Sequence, residues 1–185
     1  ALAVHRARIE LRGPVVVVGV MAEETTGEGT HFLLDRGMHP RQAIIAEWSS
    51  AARIAIGYRG RMGLLVETKG RTSHGSRPHL GINAVEMMFE AVVPAVKKFI
   101  QSLPCSPHPA FLINGSSASV TMVQGGIKAN VIPDSCKTEW DIRLGSGQDP
   151  QQVKEGLKRV EDELGRAFPN LQVAFSWTDQ RFPFV

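Results

Sequence analysis

Five side chains in this 185-residue sequence are candidates for chemistry: Glu23, Glu24, Glu47, His74 and Arg143. Glu23 and Glu24 are adjacent and follow the apolar run Val15-Val16-Val17-Val18-Gly19-Val20. Neighbouring carboxylates repel, and each raises the other's pKa unless a cation neutralises them. Carboxylate oxygens suit zinc, manganese or cobalt. Taken alone, the pair is more simply the acidic part of a solvated loop before a helix. Glu47 shifts that balance, because it ends a second apolar run, Ala43-Ile44-Ile45-Ala46. In open parallel sheets ligands bind beyond the carboxyl ends of the strands, and three carboxylates there can converge on one metal centre. His74 lies in a loop rich in Gly, Ser and Pro, where a histidine by itself is an exposed polar residue. Arg143 falls on the polar side of an alternating segment. One reading is a sheet-surface ion pair; the other is a grip on a ligand carboxylate by two parallel hydrogen bonds.

The elements that must position these residues fall into two groups. Residues 1–10 look like the end of a helix, which Pro14 breaks. The valine run has no alternation and predicts a strand buried on both faces of a parallel sheet. Thr30 is placed to cap a short helix through Arg36, with Gly37 as its stop. Residues 43–46 predict a second buried strand, so strand, helix and strand make a parallel α/β unit. From about residue 53 the texture changes. Residues 62–69 predict a strand, and residues 70–81 a loop. Ile82, Val85, Phe89, Val92, Val96 and Phe99 mark one helical face, kinked at Pro94. Met87 and Met88 fall near that face and are expected in the core. Residues 118–124 and 137–144 alternate as strands, the latter with Thr138, Trp140, Ile142 and Leu144 on one side. Asp149-Pro150 opens a helix, with Gln152 completing a capping box, and residues 172–177 form a last strand. Residues 61–177 thus predict β-α-β-β-α-β, the ferredoxin-like order. The expected fold class is α/β plus α+β: a partial parallel unit over 1–55, a complete ferredoxin-like domain over 56–178, and a short return segment over 179–185.

Composition narrows the function classes. Hydrophobic residues are 43% and charged residues 21%, ordinary values for a globular domain. The formal charge of +3 is spread among mixed signs, so no nucleic-acid partner follows from charge. No apolar stretch approaches the roughly 20 residues that span a bilayer, and no membrane partner is expected. Cys105 and Cys136 are too few for a disulfide framework or a zinc-finger pattern. Two reduced thiols in a cytoplasmic protein are the expectation.

The ordered motifs carry a resemblance. Ala22-Glu23-Glu24 with Gly27 and Gly29, Glu47-Trp48-Ser49-Ser50, and Gly57-Tyr58-Arg59-Gly60 come first. Gly70-Arg71-Thr72-Ser73-His74-Gly75-Ser76-Arg77-Pro78 with Gly81-Ile82-Asn83-Ala84 follows. Gly125-Gly126, Asn130-Val131-Ile132-Pro133-Asp134 and Asp141-Ile142-Arg143 complete the series. Together they resemble the M20 metallopeptidase and amidohydrolase family, the group of acetylornithine deacetylase, succinyl-diaminopimelate desuccinylase and carboxypeptidase G2. The resemblance implies a parallel catalytic domain and a lid that pairs two subunits. It implies two zinc or cobalt ions, with Glu24 on one and Glu47 on the other. Two metals about 3.5–4 Å apart lower the pKa of a shared water, and Glu23 would be the general base that takes its proton. His74 would reach into the partner subunit's site and stabilise a tetrahedral oxyanion. Asn130, Arg143 and, less strongly, Arg59 would contact the substrate carboxylate. The implied substrates are N-acyl amino acids or small peptides.

Trp48 stands where the family usually has Pro, and Ala22 where Asp or Asn is common. The chain opens on Ala1 rather than Met. The family's His-x-Asp segment would precede residue 1, and its last ligand histidine would follow residue 185. The expectation is therefore a fragment that binds a metal pair poorly and is inactive alone. The competing reading is a dimerisation module without catalysis of its own. An RNA-binding sheet is disfavoured, because Val120, Met122, Thr138 and Ile142 are not stacking residues, although Trp140 is aromatic.

Overall fold

A computed structural model describes residues 6–8, 10, 13–23, 26–45, 58–107 and 114–179. The chain divides into two compact units, Ala1–Arg53 and Ile54–Val185.

Among the described residues of the first unit, α1 spans Glu28–Asp35. It begins two residues before the expected cap at Thr30, with Gly27 at the N-cap position. It stops as predicted. Gly37 takes a φ of 82°, which a Cβ would strain. Its N–H donates to Leu34 O at 2.9 Å, and Met38 N–H donates to Leu33 O at 3.0 Å, closing the last turn. The two buried parallel strands are not found among the described residues. Residues 14–20 carry no strand pairing, and Val17 is 87% exposed. Ile44 is fully exposed. A β-branched run favours extended backbone, but a strand also needs a ladder partner and covered faces, and no described residue of this unit supplies either.

The second unit is built from alternation. β1 (Gly60–Lys69), β3 (Ser117–Gly125), β5 (Ser135–Leu144) and β6 (Gln172–Asp179) form an antiparallel sheet in the order β3-β5-β1-β6. β2 (Ser73–His74) and β4 (Val131–Ile132) make a separate two-stranded ribbon. On one face of the sheet, Met62, Leu64, Val66 and Thr68 of β1 are buried beside Cys136, Thr138, Trp140, Ile142 and Leu144 of β5. The opposite parity, Lys137 and Glu139 with the half-buried Asp141 and Arg143, faces outward. This is the alternation the sequence predicts for residues 137–144.

Two helical segments cover the buried face. α2 (Ala84–Met87) runs through a π turn at Met88–Val92 into α3 (Val93–Ser102). Its buried residues are Ala84, Met88, Val92, Val96 and Ile100, while Phe89 is 42% exposed. The predicted stripe is thus corrected in its first half. A spacing of four overshoots the 3.6 residues of an α-turn, and the wider π turn takes up the excess. That turn also precedes Pro94, whose missing N–H was expected to kink the helix; Val93 N–H donates to Met88 O instead. α4 (Pro150–Ala167) is capped by Asp149 Oδ1, which accepts from Gln151 N–H at 2.9 Å, and it buries Val153, Leu157 and Leu164.

Inside this core Trp140 Nε1–H donates to Thr138 Oγ1 at 2.9 Å, and both residues are buried. Thr138→Val keeps the shape and leaves the indole N–H without that acceptor. The expected cost is about 1–3 kcal/mol, measured as a lower urea midpoint at unchanged slope.

Candidate functional site

The loop carrying His74 is closed at its neck by Arg71 and Ile82. Arg71 N–H donates to Ile82 O at 3.0 Å, and Ile82 N–H returns a bond to Arg71 O at 2.8 Å. Gly70 permits this approach: a Cβ there would sit 2.2 Å from Ile82 O. Asn83 follows and caps α2, its Oδ1 accepting from Val85 N–H at 3.1 Å and Glu86 N–H at 3.2 Å. Within the loop, Ser73 and His74 pair with Ile132 and Val131. Gly75 N–H donates to Asn130 O at 2.8 Å. The pairing brings two predicted site residues together: Asn130 Nδ2 lies 3.4 Å from His74 Nε2, and both side chains are exposed. The other ring nitrogen, Nδ1, accepts from Ser76 N–H at 3.1 Å and lies 2.8 Å from Ser76 Oγ. Such an exposed imidazole edge can donate to or accept from an oxygen of a ligand.

Arg143 and Arg59 stand elsewhere. Arg143 pairs with Arg61 and Ser117 in the sheet, at the end where β1 begins. The ribbon lies beyond the other end, where Lys69 faces Ser135. Arg143 and Ser135 are eight positions apart along β5, roughly 25 Å of strand. Arg143 grips Asp141 in bidentate fashion, Nε to Oδ1 at 2.6 Å and Nη2 to Oδ2 at 3.0 Å. Arg61 Nε donates to the same Oδ2 at 3.0 Å. Arg59 Nη1 donates to Ser117 Oγ at 3.1 Å and to Gly115 O at 3.3 Å. The structure therefore groups His74 with Asn130, and Arg59 with Arg143, at opposite ends of one sheet.

Burial opposes ionisation of Asp141, but hydrogen bonds from Arg143 and Arg61, reinforced by their charge, outweigh it and hold the carboxyl below the usual carboxylate range. A depressed folded value means that ionised Asp141 stabilises the fold fully above the unfolded value near 3.9, and that this contribution is lost as pH falls through the folded value. Asp141→Asn is expected to flatten that part of the acid limb, so its loss of stability between about pH 5 and pH 2 should be smaller than the wild-type loss in urea titrations.

Glu23 is exposed in a turn next to Ala22, whose φ is 58°. Left-handed backbone costs an ordinary L-residue about 1–2 kcal/mol, and Asn and Asp tolerate it better. Thr26 and Gly27 both donate to Ala22 O, at 3.1 and 2.7 Å. Glu24 and Glu47 lie outside the described residues. Among the described residues no three His, Cys, Asp or Glu side chains come together as a metal ion requires. These residues do not by themselves form a metal centre. No helix among them is long and apolar enough to cross a membrane.

Two contributors lay in the sequence without an assigned role. Asp141 is two residues before Arg143 on a strand, and that period puts both on one face. Ser76 is two residues after His74, close enough for the short-range side-chain bonds typical of loops.

The chain matches the M20-type peptidase dimerisation domain over residues 56–169. The acetylornithine deacetylase of Vibrio parahaemolyticus is 28% identical to it over 157 residues, 84% of this chain and 41% of that protein. The acetylornithine deacetylase of Vibrio atlanticus is 31% identical over 153 residues, 80% of this chain and 40% of that protein. The chain thus spans about two fifths of the length of the curated relatives it matches. A solved amidase of the hydantoinase/carbamoylase family from Burkholderia phymatum shares the fold, with a TM-score of 0.54 over 66% of this chain and 29% of that one at 10% identity. Because residues 56–169 are more than half of the 185, this chain belongs to the M20 peptidase dimerisation-domain family.

Proposed function

We propose that this chain is the lid-bearing part of a dimeric, metal-dependent amidohydrolase that cleaves the amide bond of N-acyl amino acids or small peptides. The observation that carries the reading is the seating of His74 against Asn130, 56 residues apart in sequence, on a ribbon outside the main sheet of a dimerisation-family domain. In this reading residues 1–55 belong to the catalytic domain and residues 56–178 are a ferredoxin-like lid, with residues 179–185 turning back. The strand order β3-β5-β1-β6 with helices on one face supports that layout.

The separation of the two site groups suggests a division of labour. His74 with Asn130 would serve the site of a partner subunit, and Arg143 with Arg59 the substrate carboxylate in the subunit's own site. Glu23 would accept the proton of the attacking water. Glu24 and Glu47 would hold two divalent ions, zinc or cobalt, in the full-length parent, and the setting would be cytoplasmic. A second reading, a dimerisation module without catalysis, is favoured by the confinement of the family match to residues 56–169.

The test is hydrolysis of N-acetyl and N-succinyl amino acids and dipeptides by the metal-loaded full-length parent. Turnover of at least one class is expected from the parent and none from this chain alone. A folded, metal-loaded, dimeric parent that cleaves none of them would overturn the hydrolase reading and leave the dimerisation module.

A further inference from the structure

The hydrogen bonds around His74 constrain where its imidazole keeps its proton. Ser76 N–H points at Nδ1 from 3.1 Å. A backbone N–H can only donate, so a nitrogen that takes this bond presents its lone pair and carries no hydrogen. Ser76 Oγ, 2.8 Å from the same nitrogen, can turn its hydroxyl to donate as well. The loop gives Ser76 N–H little freedom to turn away. On one side Gly75 N–H is fixed to Asn130 O at 2.8 Å. On the other, Arg77 N–H is fixed to His74 O at 2.8 Å, while Ser73 Oγ donates to Arg77 O at 3.2 Å. In a neutral ring the single hydrogen must then sit on Nε2. The amide of Asn130, whose terminus is 3.4 Å from Nε2, would meet that hydrogen with its oxygen, since the two ends of an amide exchange by a half-turn.

We propose that Ser76 is the positioning residue of His74: its backbone N–H occupies Nδ1, so the neutral imidazole carries its proton on Nε2 and offers an N–H to an anionic or carbonyl oxygen of the ligand. The role in the site rests on the hydrolase reading; the tautomer does not. With its amide turned by a half-turn, Asn130 Oδ1 would hold the donor until a ligand oxygen replaces it. A donor fixed before the ligand arrives needs no reorganisation when negative charge develops on that oxygen. Ser76 itself touches neither ligand nor reacting atoms.

The test uses this chain labelled with 15N, at about pH 8.5, above the ordinary imidazole value near 6.5. The ring signals of His74 are identified by their loss in His74→Gln. Nδ1 is expected at the position of an unprotonated, pyridine-like nitrogen and Nε2 at that of a protonated, pyrrole-like one. Ser76→Ala keeps the backbone donor and should keep this pattern. Ser76→Pro removes the donor and should move the ring toward a mixture of tautomers. A wild-type ring with its proton on Nδ1 would overturn the proposal, as would a mixture in the wild type or an unchanged pattern in a folded Ser76→Pro. If Ser76→Pro does not fold, the wild-type spectrum decides. The predicted tautomer in this chain beside an inactive parent would sink the hydrolase reading alone. The opposite tautomer beside an active parent would sink the Ser76 inference alone.

Discussion

Replacing His74 by alanine in the full-length parent is expected, on the proposed hydrolase reading, to lower kcat about 100- to 1,000-fold, the usual effect of deleting one donor to a developing oxyanion. KM should change little, because an interaction made only in the transition state lowers kcat and kcat/KM together. Asn130, which contacts the imidazole edge in the absence of ligand, should show a smaller loss on substitution. The partner-subunit assignment makes a sharper demand. On the proposed reading, Glu23→Gln would disable a subunit's own site but still lend an intact His74, and His74→Ala would keep its own site but lend nothing. Coexpressed, the two variants form mixed dimers containing one intact site. With random pairing, the mixture should recover about a quarter of wild-type activity from two nearly inactive parents. No recovery, in dimers shown to be mixed, would place His74 in its own subunit's site or in none.

Leu64→Ala is expected to destabilise the domain by about 2–5 kcal/mol, a large share of the roughly 5–15 kcal/mol that holds a typical domain together. Leu64 is fully buried on the strand that pairs with both β5 and β6. It lies between Trp140 and Trp177 in register. The cavity would open under both helices, where the backbone cannot collapse far. Thermal melting should fall by about 10 °C. Leu65, the next residue, faces the other side of the sheet and is half-buried. Leu65→Ala should cost about 1 kcal/mol or less. Equal losses at the two positions would contradict the two-faced character of this sheet.

How much of this was legible in the sequence depends on the length over which a pattern repeats. β5 spells out its two faces over ten residues, and α4 its stripe over eighteen, so both stood out. The ribbon of β2 and β4 contains two residues per strand, too few to show a period. β2 lies inside what the sequence offers as a plain loop over 70–81, and β4 in a stretch where the sequence marks no element. The π turn was hidden for a related reason: it widens one turn and puts Met88 rather than Phe89 on the inner side, while Ile82 lies before the helix, paired with Arg71. The valine run shows that burial is not a local property. Residues 15–18 have the composition of a central strand, and the described part of their unit gives them nothing to pair with. Among the site residues, the sequence named His74 and Asn130 separately, and only the ribbon shows that they touch. It also left both readings of Arg143 open. The clasp with Asp141 is the ion pair it allowed for, and a ligand carboxylate would have to compete with that clasp or share it.

The placement of His74 on so slight a support has an evolutionary corollary. Two residue pairs and the short turn 126–130 set the position of the imidazole, and none of them belongs to the packed layers. Adding or deleting a residue in that turn would slide the ring along or away from its target while the melting temperature stayed put. On the proposed reading, reach, and with it the size of molecule that fits beneath, could therefore diversify among descendants without touching the residues that keep the domain folded.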